Sequence, residues 1–485
     1  MKKAFLVFSL CLVLALAGLT AAVVSLHHSR DDVEVTLTTR AGDPIHAQGL
    51  TARQTVRHAE HLFWDLAIPA QDPVLTETDF SFYPTGLEWE AYQETPLSLY
   101  TSDSSFLYLE GTHTTPTFES LEGDPALSQL LPLLEEMADR TEPGKSVSQT
   151  IRPADYLDTC PLSVYAVLPN TALRYDETTT DHYDQNLLLP RFFQKAFPLT
   201  FVPEEEWTIT MEKRETGFIR ELSYRSNGIT NQIDLLTDYN EEALYLAFGQ
   251  NTWPQPDFSL FPQGNGVYRM DIVQEKDMDY MEAQTLTNIY PIPDEAMVLD
   301  LTLDGDDTLL VTWYDAGEYF CSILDTKTLK PRETFPVFRE ERKEAEVYTS
   351  DSLGRELSYQ TWAYENLQAI PGEDFLLFLG DQQFWLFLPS EDGWQEQFSA
   401  PLHEELWYAS DLRMDAVWNG EKLAMGNADG WTSGLDLWVY AGTGDLLFQG
   451  HYDTSLTDGP NTEGYNHRSN VFPMEGKELT LGWDS

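Results

Sequence analysis

An apolar strand that follows a glycine turn recurs along the second half of the chain, and this recurrence constrains the fold more than any other feature. The strands are Val267–Ile272, Tyr319–Leu324, Phe384–Leu388 and Leu437–Tyr440. Counted at Tyr268, Tyr319, Trp385 and Trp438, they lie 51, 66 and 53 residues apart. Each is a short run rich in aromatic and β-branched residues bounded by turn residues, which is typical of a β-strand.

Each of these strands has strand-like neighbours on both sides. Another apolar strand precedes it, and several are followed by a turn and a weaker strand, such as Asp325–Phe335 (DTKTLKPRETF). A strand–turn–strand–turn–strand unit repeating about every 50 residues predicts a blade of a β-propeller. The ~455 residues beyond the N-terminal segment then make about seven or eight blades. The predicted fold is therefore all-β, an irregular β-propeller with a short helical insertion.

The run LDTKTLKPRETF after a strand pair, within Leu244–Phe448, carries a family resemblance. The chain resembles β-propeller repeats and, more broadly, the uncharacterised membrane-anchored, strand-rich ectodomain proteins of Gram-positive bacteria. The Gly-His and Trp-Asp pattern of WD40 repeats is not present. The resemblance implies a propeller-like fold and a membrane anchor, and it implies no catalytic residue.

An N-terminal apolar segment predicts where the chain is located. Lys2 and Lys3 precede 23 uncharged residues, Ala4–Leu26, enough to span a bilayer core of about 30 Å. Ala15–Ala17 fits a signal-peptide cleavage site, but apolar residues continue beyond it. We therefore expect a signal-anchor or transmembrane helix over residues 1–28 and an extracytoplasmic domain over 29–485, held at the cell membrane by a single pass with its C-terminal domain extracellular. The alternative is a secreted protein.

The first half of the chain is less regular. Asp124–Arg140 predicts a helical insertion or blade connector, in which Pro132 makes a kink or divides the segment into two short helices. An alternative division is an α+β domain over 29–203 followed by a smaller propeller over 204–485. Because unpaired sheet edges favour aggregation, the last strand, Glu478–Trp483, is expected to share a sheet with Val33–Thr39 or Leu62–Trp64.

Charge and cysteine content exclude some classes of protein. The chain has 29 Lys and Arg against 80 Asp and Glu, a net charge of −51, which repels nucleic acid. Aromatic residues make up 13%, so the chain can bury a core and is not an acidic disordered chain. Cys160 and Cys321 could pair outside the cell, but two isolated buried thiols are favoured.

One acidic turn is a candidate metal site. Asp304, Asp306 and Asp307 in LDGDDT, with Asp300 just before them, supply the oxygen ligands that calcium takes. Asp-Gly is also a frequent hairpin turn, and the EF-hand spacing is not present. Calcium at Asp304, Asp306 and Asp307 is therefore a hypothesis to set against a plain turn, and no other cofactor is expected.

No catalytic motif stands out, so the sequence favours binding over catalysis. We expect a membrane-tethered extracytoplasmic binding or sensing module whose partner is a protein, a peptide or a cell-wall ligand, with no nucleic acid. The alternative is an extracellular glycan hydrolase that uses a carboxylate pair on the propeller scaffold. Six tryptophans are candidates for a sugar-binding platform: Trp253, Trp313, Trp362, Trp394, Trp407 and Trp431.

Overall fold

The computed structural model shows an all-β protein. It describes residues 33–58, 62–82, 98–101, 130–152, 155–156, 160–161, 164–167, 171–174, 180–181, 187–188, 196–201, 207–217, 219–226, 233–252, 255–274, 279–350, 356–402, 413–428, 434–456 and 474–484. Helix α1 (Leu131–Arg140) and a few 3-10 turns accompany the strands. No helix in the described part of the chain is long and apolar enough to cross a membrane, and residues 1–32 lie outside that part.

The strands are numbered in chain order. The first fourteen are β1 (Val35–Gly42), β2 (Leu50–His58), β3 (Leu62–Pro69), β4 (Glu77–Phe82), β5 (Ser98–Thr101), β6 (Ser146–Ile151), β7 (Cys160–Pro161), β8 (Val164–Val167), β9 (Thr171–Arg174), β10 (Thr180–Asp181), β11 (Leu187–Leu188), β12 (Thr200–Phe201), β13 (Trp207–Lys213) and β14 (Ile219–Ser226). The next are β15 (Leu235–Tyr239), β16 (Ala243–Phe248), β17 (Gly266–Gln274), β18 (Asp279–Pro291), β19 (Met297–Asp304), β20 (Thr308–Asp315), β21 (Glu318–Asp325), β22 (Lys330–Arg339), β23 (Lys343–Ser350) and β24 (Glu356–Ala363). The last are β25 (Gln368–Gly372), β26 (Phe375–Leu379), β27 (Gln383–Ser390), β28 (Gly393–Pro401), β29 (Arg413–Trp418), β30 (Lys422–Ala428), β31 (Leu435–Ala441), β32 (Leu446–Thr454) and β33 (Met474–Trp483).

Units of four sequential antiparallel strands recur in the sheets. They are β15–β18, β19–β22, β25–β28 and β29–β32, and a fifth unit joins β33 to β2, β3 and β4. β9 and β10 extend the first of these sheets through a parallel β9–β18 pair, and β1 extends the fourth along β32. The remaining sheets are smaller: β6–β13–β14, β5–β8–β11, β7–β12 and the hairpin β23–β24.

The aromatic residues that define the sequence repeat occupy equivalent places in these units. Tyr268, Tyr319, Trp385 and Trp438 lie in β17, β21, β27 and β31, which are the third strands of their four-strand units. All four side chains are buried. The apolar strand predicted before each of them is the second strand of the same unit. The spacing of about 50 residues therefore marks a real structural repeat.

The hydrophobic core lies between the faces of neighbouring sheets. One cluster joins β16 and β17 to β19 and β20, with Tyr245 packed near Val311. A second cluster joins the sheet β25–β28 to the sheet β29–β32. A third cluster joins the sheet β29–β32 to β2 and β3. Every residue of β16 and β26 is buried, because these strands are covered on both faces.

The two ends of the described chain meet in neighbouring sheets. β33 pairs with β2 along Leu50–His58, in the sheet that also contains β3. The predicted strand Glu478–Trp483 therefore shares a sheet with Leu62–Trp64, as expected, although its direct partner is the strand between the two predicted candidates. β1 pairs instead with β32.

Three half-buried aspartates, each on the first strand of a four-strand sheet, accept hydrogen bonds from residues that are distant in sequence. Each bond joins a carboxylate oxygen to a backbone N–H: Asp238 to Leu303 (2.7 Å), Asp300 to Ala369 (3.0 Å) and Asp415 to Leu481 (2.6 Å). The three aspartates lie in β15, β19 and β29. We call these three residues the aspartate ladder.

The structure bears on two predictions, one about the first helix and one about the cysteines. Helix α1 begins at Leu131 with Pro132 in its first turn, where the missing N–H costs nothing. The kink or pair of short helices predicted around Pro132 involves residues before Leu131 and stays a prediction. Residues 124–129 lie outside the described part. Cys321 is a free, buried thiol, so it does not pair with Cys160.

Chain contacts divide the protein into two compact units. Met1–Tyr92 and Ile370–Ser485 form one, and Gln93–Ala369 form the other. Residues 203 and 204 lie inside the second unit, so this division differs from a boundary between 29–203 and 204–485. The first and last parts of the chain belong to the same unit because β33 pairs with β2 and β1 pairs with β32.

Candidate functional site

In the second unit, an arginine packs against aromatic rings at a site that includes an exposed tryptophan. Arg342 lies between β22 and β23, where the chain leaves a four-strand sheet and enters the hairpin β23–β24. The aromatic residues come from the ends of β20, β21, β22 and β24 and from the residue after β24. We call the set the Arg342 cluster: Tyr314, Tyr319, Phe338, Arg342, Trp362 and Tyr364.

The guanidinium of Arg342 is held by stacking and by a hydroxyl group. Its Cζ lies 4.5 Å from the ring centroid of Trp362 and 5.9 Å from that of Tyr364. Nη1 donates a hydrogen bond to the Tyr364 hydroxyl at 3.0 Å, and the backbone N–H donates to the Tyr314 hydroxyl at 3.3 Å. A cation over an aromatic face contributes about 0.5–2 kcal/mol, depending on desolvation. The arginine therefore fixes the orientation of the tryptophan.

The rings beneath form a continuous buried base. Tyr314 meets Tyr364 and Tyr319 edge to face, each at 5.0 Å, and Tyr319 stacks on Phe338 at 4.1 Å. The Tyr319 hydroxyl accepts a hydrogen bond from the Glu365 N–H at 2.8 Å, and burial raises the pKa of Tyr319 to about 12. Tyr319 is 1% exposed and Trp362 is 42% exposed. The cluster thus runs from a rigid core to an open indole.

A glutamine from a distant loop fixes the strand that carries the tryptophan. Gln250, just after β16, accepts a hydrogen bond from the Tyr364 N–H at 3.3 Å through Oε1. Its Nε2 donates to Asn366 Oδ1 at 2.5 Å. Beside the cluster, Glu340 forms an ion pair with Lys343. The site is therefore a preorganised contact surface, with stacking and N–H donors on rigid elements.

The acidic turn, Asp304, Asp306 and Asp307, lies at the tip of the β19–β20 hairpin. Asp304 pairs with Thr308 across the turn, and Gly305 adopts a φ of +61°. Asp307 forms an ion pair with Lys327, and its backbone carbonyl accepts from Arg332 at 3.3 Å. In the part of the chain that the structure describes, no group of three His, Cys, Asp or Glu side chains is placed to hold a metal ion. Calcium binding at this turn stays a prediction.

Asp300 does not belong to the acidic turn. It lies at an irregularity in the pairing of β19 with β20 and is half-buried. Its Oδ2 accepts from the Thr302 hydroxyl at 2.8 Å and from the Ala369 N–H. Burial raises the pKa of Asp300 to about 6, more than these hydrogen bonds lower it, and burial raises the pKa of Asp238 and Asp415 as well. These three carboxyl groups accept hydrogen bonds from backbone N–H groups of residues distant in sequence, so their role is structural.

Of the six tryptophans predicted as a sugar-binding platform, the structure describes one with an exposed ring, Trp362. Trp313 stacks on Phe320 at 4.6 Å and donates from Nε1 to Ser322 Oγ at 2.9 Å, so it is a structural side chain of its sheet. Trp394 lies half-buried in β28. The other three, Trp253, Trp407 and Trp431, lie outside the described residues. Of the predicted tryptophans that the structure describes, Trp362 is the one with an exposed side chain.

Comparisons with known proteins leave the family open. No family model matches the chain, and no curated protein matches it. Among solved structures, the chain is similar to apo AztD from Citrobacter koseri at 8% identity, covering 84% of this chain and 97% of that chain, with a TM-score of 0.23. A TM-score this low carries no argument about fold or function, so both are argued from the residues alone.

Proposed function

We propose that the protein is a membrane-tethered, extracytoplasmic binding or sensing module built as an irregular β-propeller of about seven or eight blades. Three observations support the propeller: the four-strand antiparallel units recur, Asp238 and Asp415 each join the first strands of two such units, and the C-terminal strand completes an N-terminal sheet. Completing one blade from both chain ends is how a propeller avoids open sheet edges.

The single observation that carries the binding function is the exposed indole of Trp362 on a preorganised base. Exposed tryptophan is costly in solvent, and aromatic residues with arginine dominate the energetics of recognition surfaces. Here Arg342 stacks on the ring, and Arg342 is itself held by Tyr364, whose backbone N–H donates to Gln250. Little side-chain freedom remains to be lost when a ligand covers the ring, which favours affinity.

The ligand that this surface favours is a cell-wall glycan, ahead of a protein or a peptide. The apolar face of a sugar ring packs on an indole, and the neighbouring guanidinium donates hydrogen bonds to ring oxygens. The net charge of −51 disfavours nucleic acid and anionic lipid as partners. The N-terminal segment, residues 1–28, is the proposed signal-anchor, which would hold the domain on the extracellular side of the cell membrane.

Sedimentation with isolated Gram-positive cell walls tests this function. The detergent-solubilised full chain is expected to sediment with the walls, and Trp362→Ala is expected to reduce the bound fraction at least about tenfold, as for a central hot-spot residue. Leu260→Ala is the matched control, because Leu260 is also an exposed apolar residue of the second unit, at 50%. Equal retention of both variants would contradict the assignment. Glycan turnover by the wild-type protein would favour the hydrolase instead.

A further inference from the structure

The first described strand, β1, is held on the edge of a complete four-strand unit. It pairs antiparallel with β32, from Val35 opposite Thr454 to Gly42 opposite Phe448. Val35 is its one buried residue, so the strand buries little apolar surface of its own. Leu37 packs where Gly450 leaves room, since a Cβ at Gly450 would lie 2.7 Å from Leu37 Cδ1. The strand therefore depends on backbone pairing and on polar contacts.

On the neighbouring strand, β32, a histidine lies between two carboxylates. His451 lies on β32, opposite Thr38 of β1 and opposite Asp436 of β31. Its Nδ1 is 2.8 Å from Asp436 Oδ1, and its Nε2 is 3.0 Å from Asp453 Oδ1. Both ring nitrogens thus face an acceptor at hydrogen-bond distance.

Only a protonated ring can satisfy this arrangement. A neutral imidazole donates from one nitrogen, so its other nitrogen would direct a lone pair at a carboxylate. The imidazolium donates from both nitrogens and forms two charge-assisted hydrogen bonds. The hydrogen bond to Asp436 is the largest of the effects that raise the pKa of His451 above its ordinary value.

β1 contacts the same carboxylate group. Arg40 lies where the β1–β32 register shifts between Thr39 and Ala41, and its Nη1 is 3.4 Å from Asp436 Oδ1. One oxygen of Asp436 therefore lies at hydrogen-bond distance from His451 of β32 and forms an ion pair with Arg40 of β1. Within the described residues, the charged groups around the ring and its carboxylates are Arg40 from β1, Asp436 from β31 and Asp453 on β32 itself.

We propose that Arg40, Asp436, His451 and Asp453 form a proton-operated latch that holds β1 on β32. When His451 is protonated, the imidazolium holds both carboxylates in place and Arg40 has a fixed partner. When His451 loses its proton, one ring nitrogen directs a lone pair at a carboxylate. The hydrogen bonds to Asp436 and Asp453 then cannot both persist, and β1 opens more often. Because the folded pKa is raised, the stabilisation is complete below the unfolded pKa and is lost as pH rises through the folded pKa. This latch is independent of the ligand surface at Trp362.

Hydrogen–deuterium exchange of the full chain tests the latch. After correction for the intrinsic pH dependence of exchange, protection of peptides covering 35–42 is expected to fall roughly threefold or more between pH 6 and pH 8, the scale of a partly exposed ion pair. His451→Gln, which does not titrate, is expected to abolish this fall. His46→Gln, which changes a histidine in the 3-10 turn Pro44–Ala47 of the same unit, is the matched control and is expected to behave as wild type.

Two results would overturn the proposal. One is an equal fall in protection in the wild type and in His451→Gln, with peptides from β26 and β27 showing that the variant is folded. The other is obtained without that variant: histidine C2-proton exchange measures the pKa of His451 directly. Asp453→Asn is expected to lower that pKa, and an unchanged value would remove the carboxylate from the latch.

Discussion

The half-buried Asp300 predicts how the free energy of unfolding changes with pH, in direction and in magnitude. Its pKa is raised from 3.8 to about 6, so folding disfavours ionisation. A raised pKa means that the contribution to stability is present below the unfolded pKa and is lost as pH rises through the folded one. A difference of about two pKa units corresponds to about 3 kcal/mol. The free energy of unfolding should therefore lose about this amount from Asp300 between pH 4 and pH 7.

Asp300→Asn removes the titration and keeps an oxygen for the Ala369 N–H and the Thr302 hydroxyl. Relative to wild type, the variant should gain about 3 kcal/mol between pH 4 and pH 7. Urea unfolding followed by tryptophan fluorescence at several pH values measures the difference. Asp304→Asn, at the exposed end of the same strand, is the matched control and should follow wild type. A pH profile of Asp300→Asn parallel to wild type would refute the reasoning.

Three further predictions concern other parts of the molecule. Calcium at millimolar concentration is expected to raise the Tm by mass action, and replacing the three aspartates of the acidic turn with asparagine should remove the effect; an unchanged melting curve would end the calcium hypothesis. The full chain is expected to partition with membranes and to keep residues 1–26, which intact mass of the native protein measures; a mature N-terminus within that range would indicate a secreted protein. Asp415→Ala is expected to cost about 1–3 kcal/mol, because the Leu481 N–H loses its acceptor, whereas Asp415→Asn should retain most of the stability in the same urea assay.

The strands were predictable because the signal for a strand is local. Alternation of apolar residues and glycine turns placed the second and third strands of the four-strand units, and the aromatic residues at Tyr268, Tyr319, Trp385 and Trp438 align in the structure. The sequence predicts Pro132 in the middle of a helix because the apolar run begins before this residue. In the described residues, the helix begins at Leu131, where proline fits the first turn.

The site was not predictable because its contacts join distant residues. Tyr364 donates its N–H to Gln250, 114 residues away, and nothing in either local sequence indicates that contact. Asp300 was grouped with the acidic turn by proximity in sequence, whereas it lies within β19 and is half-buried. One local signal was overlooked: each aspartate of the ladder stands among apolar residues in the first strand of a unit, as in LLTDY and RMDAVW.

The claim that the Arg342 cluster is the recognition surface is tested most directly by a footprint. Hydrogen–deuterium exchange of the full chain would be measured with and without soluble fragments from digested Gram-positive cell walls. The account predicts added protection in peptides covering 338–350 and 356–366, with the sheet β25–β28 unchanged, and loss of that protection in Trp362→Ala. Protection confined to other sheets, or protection that persists in Trp362→Ala, would contradict it.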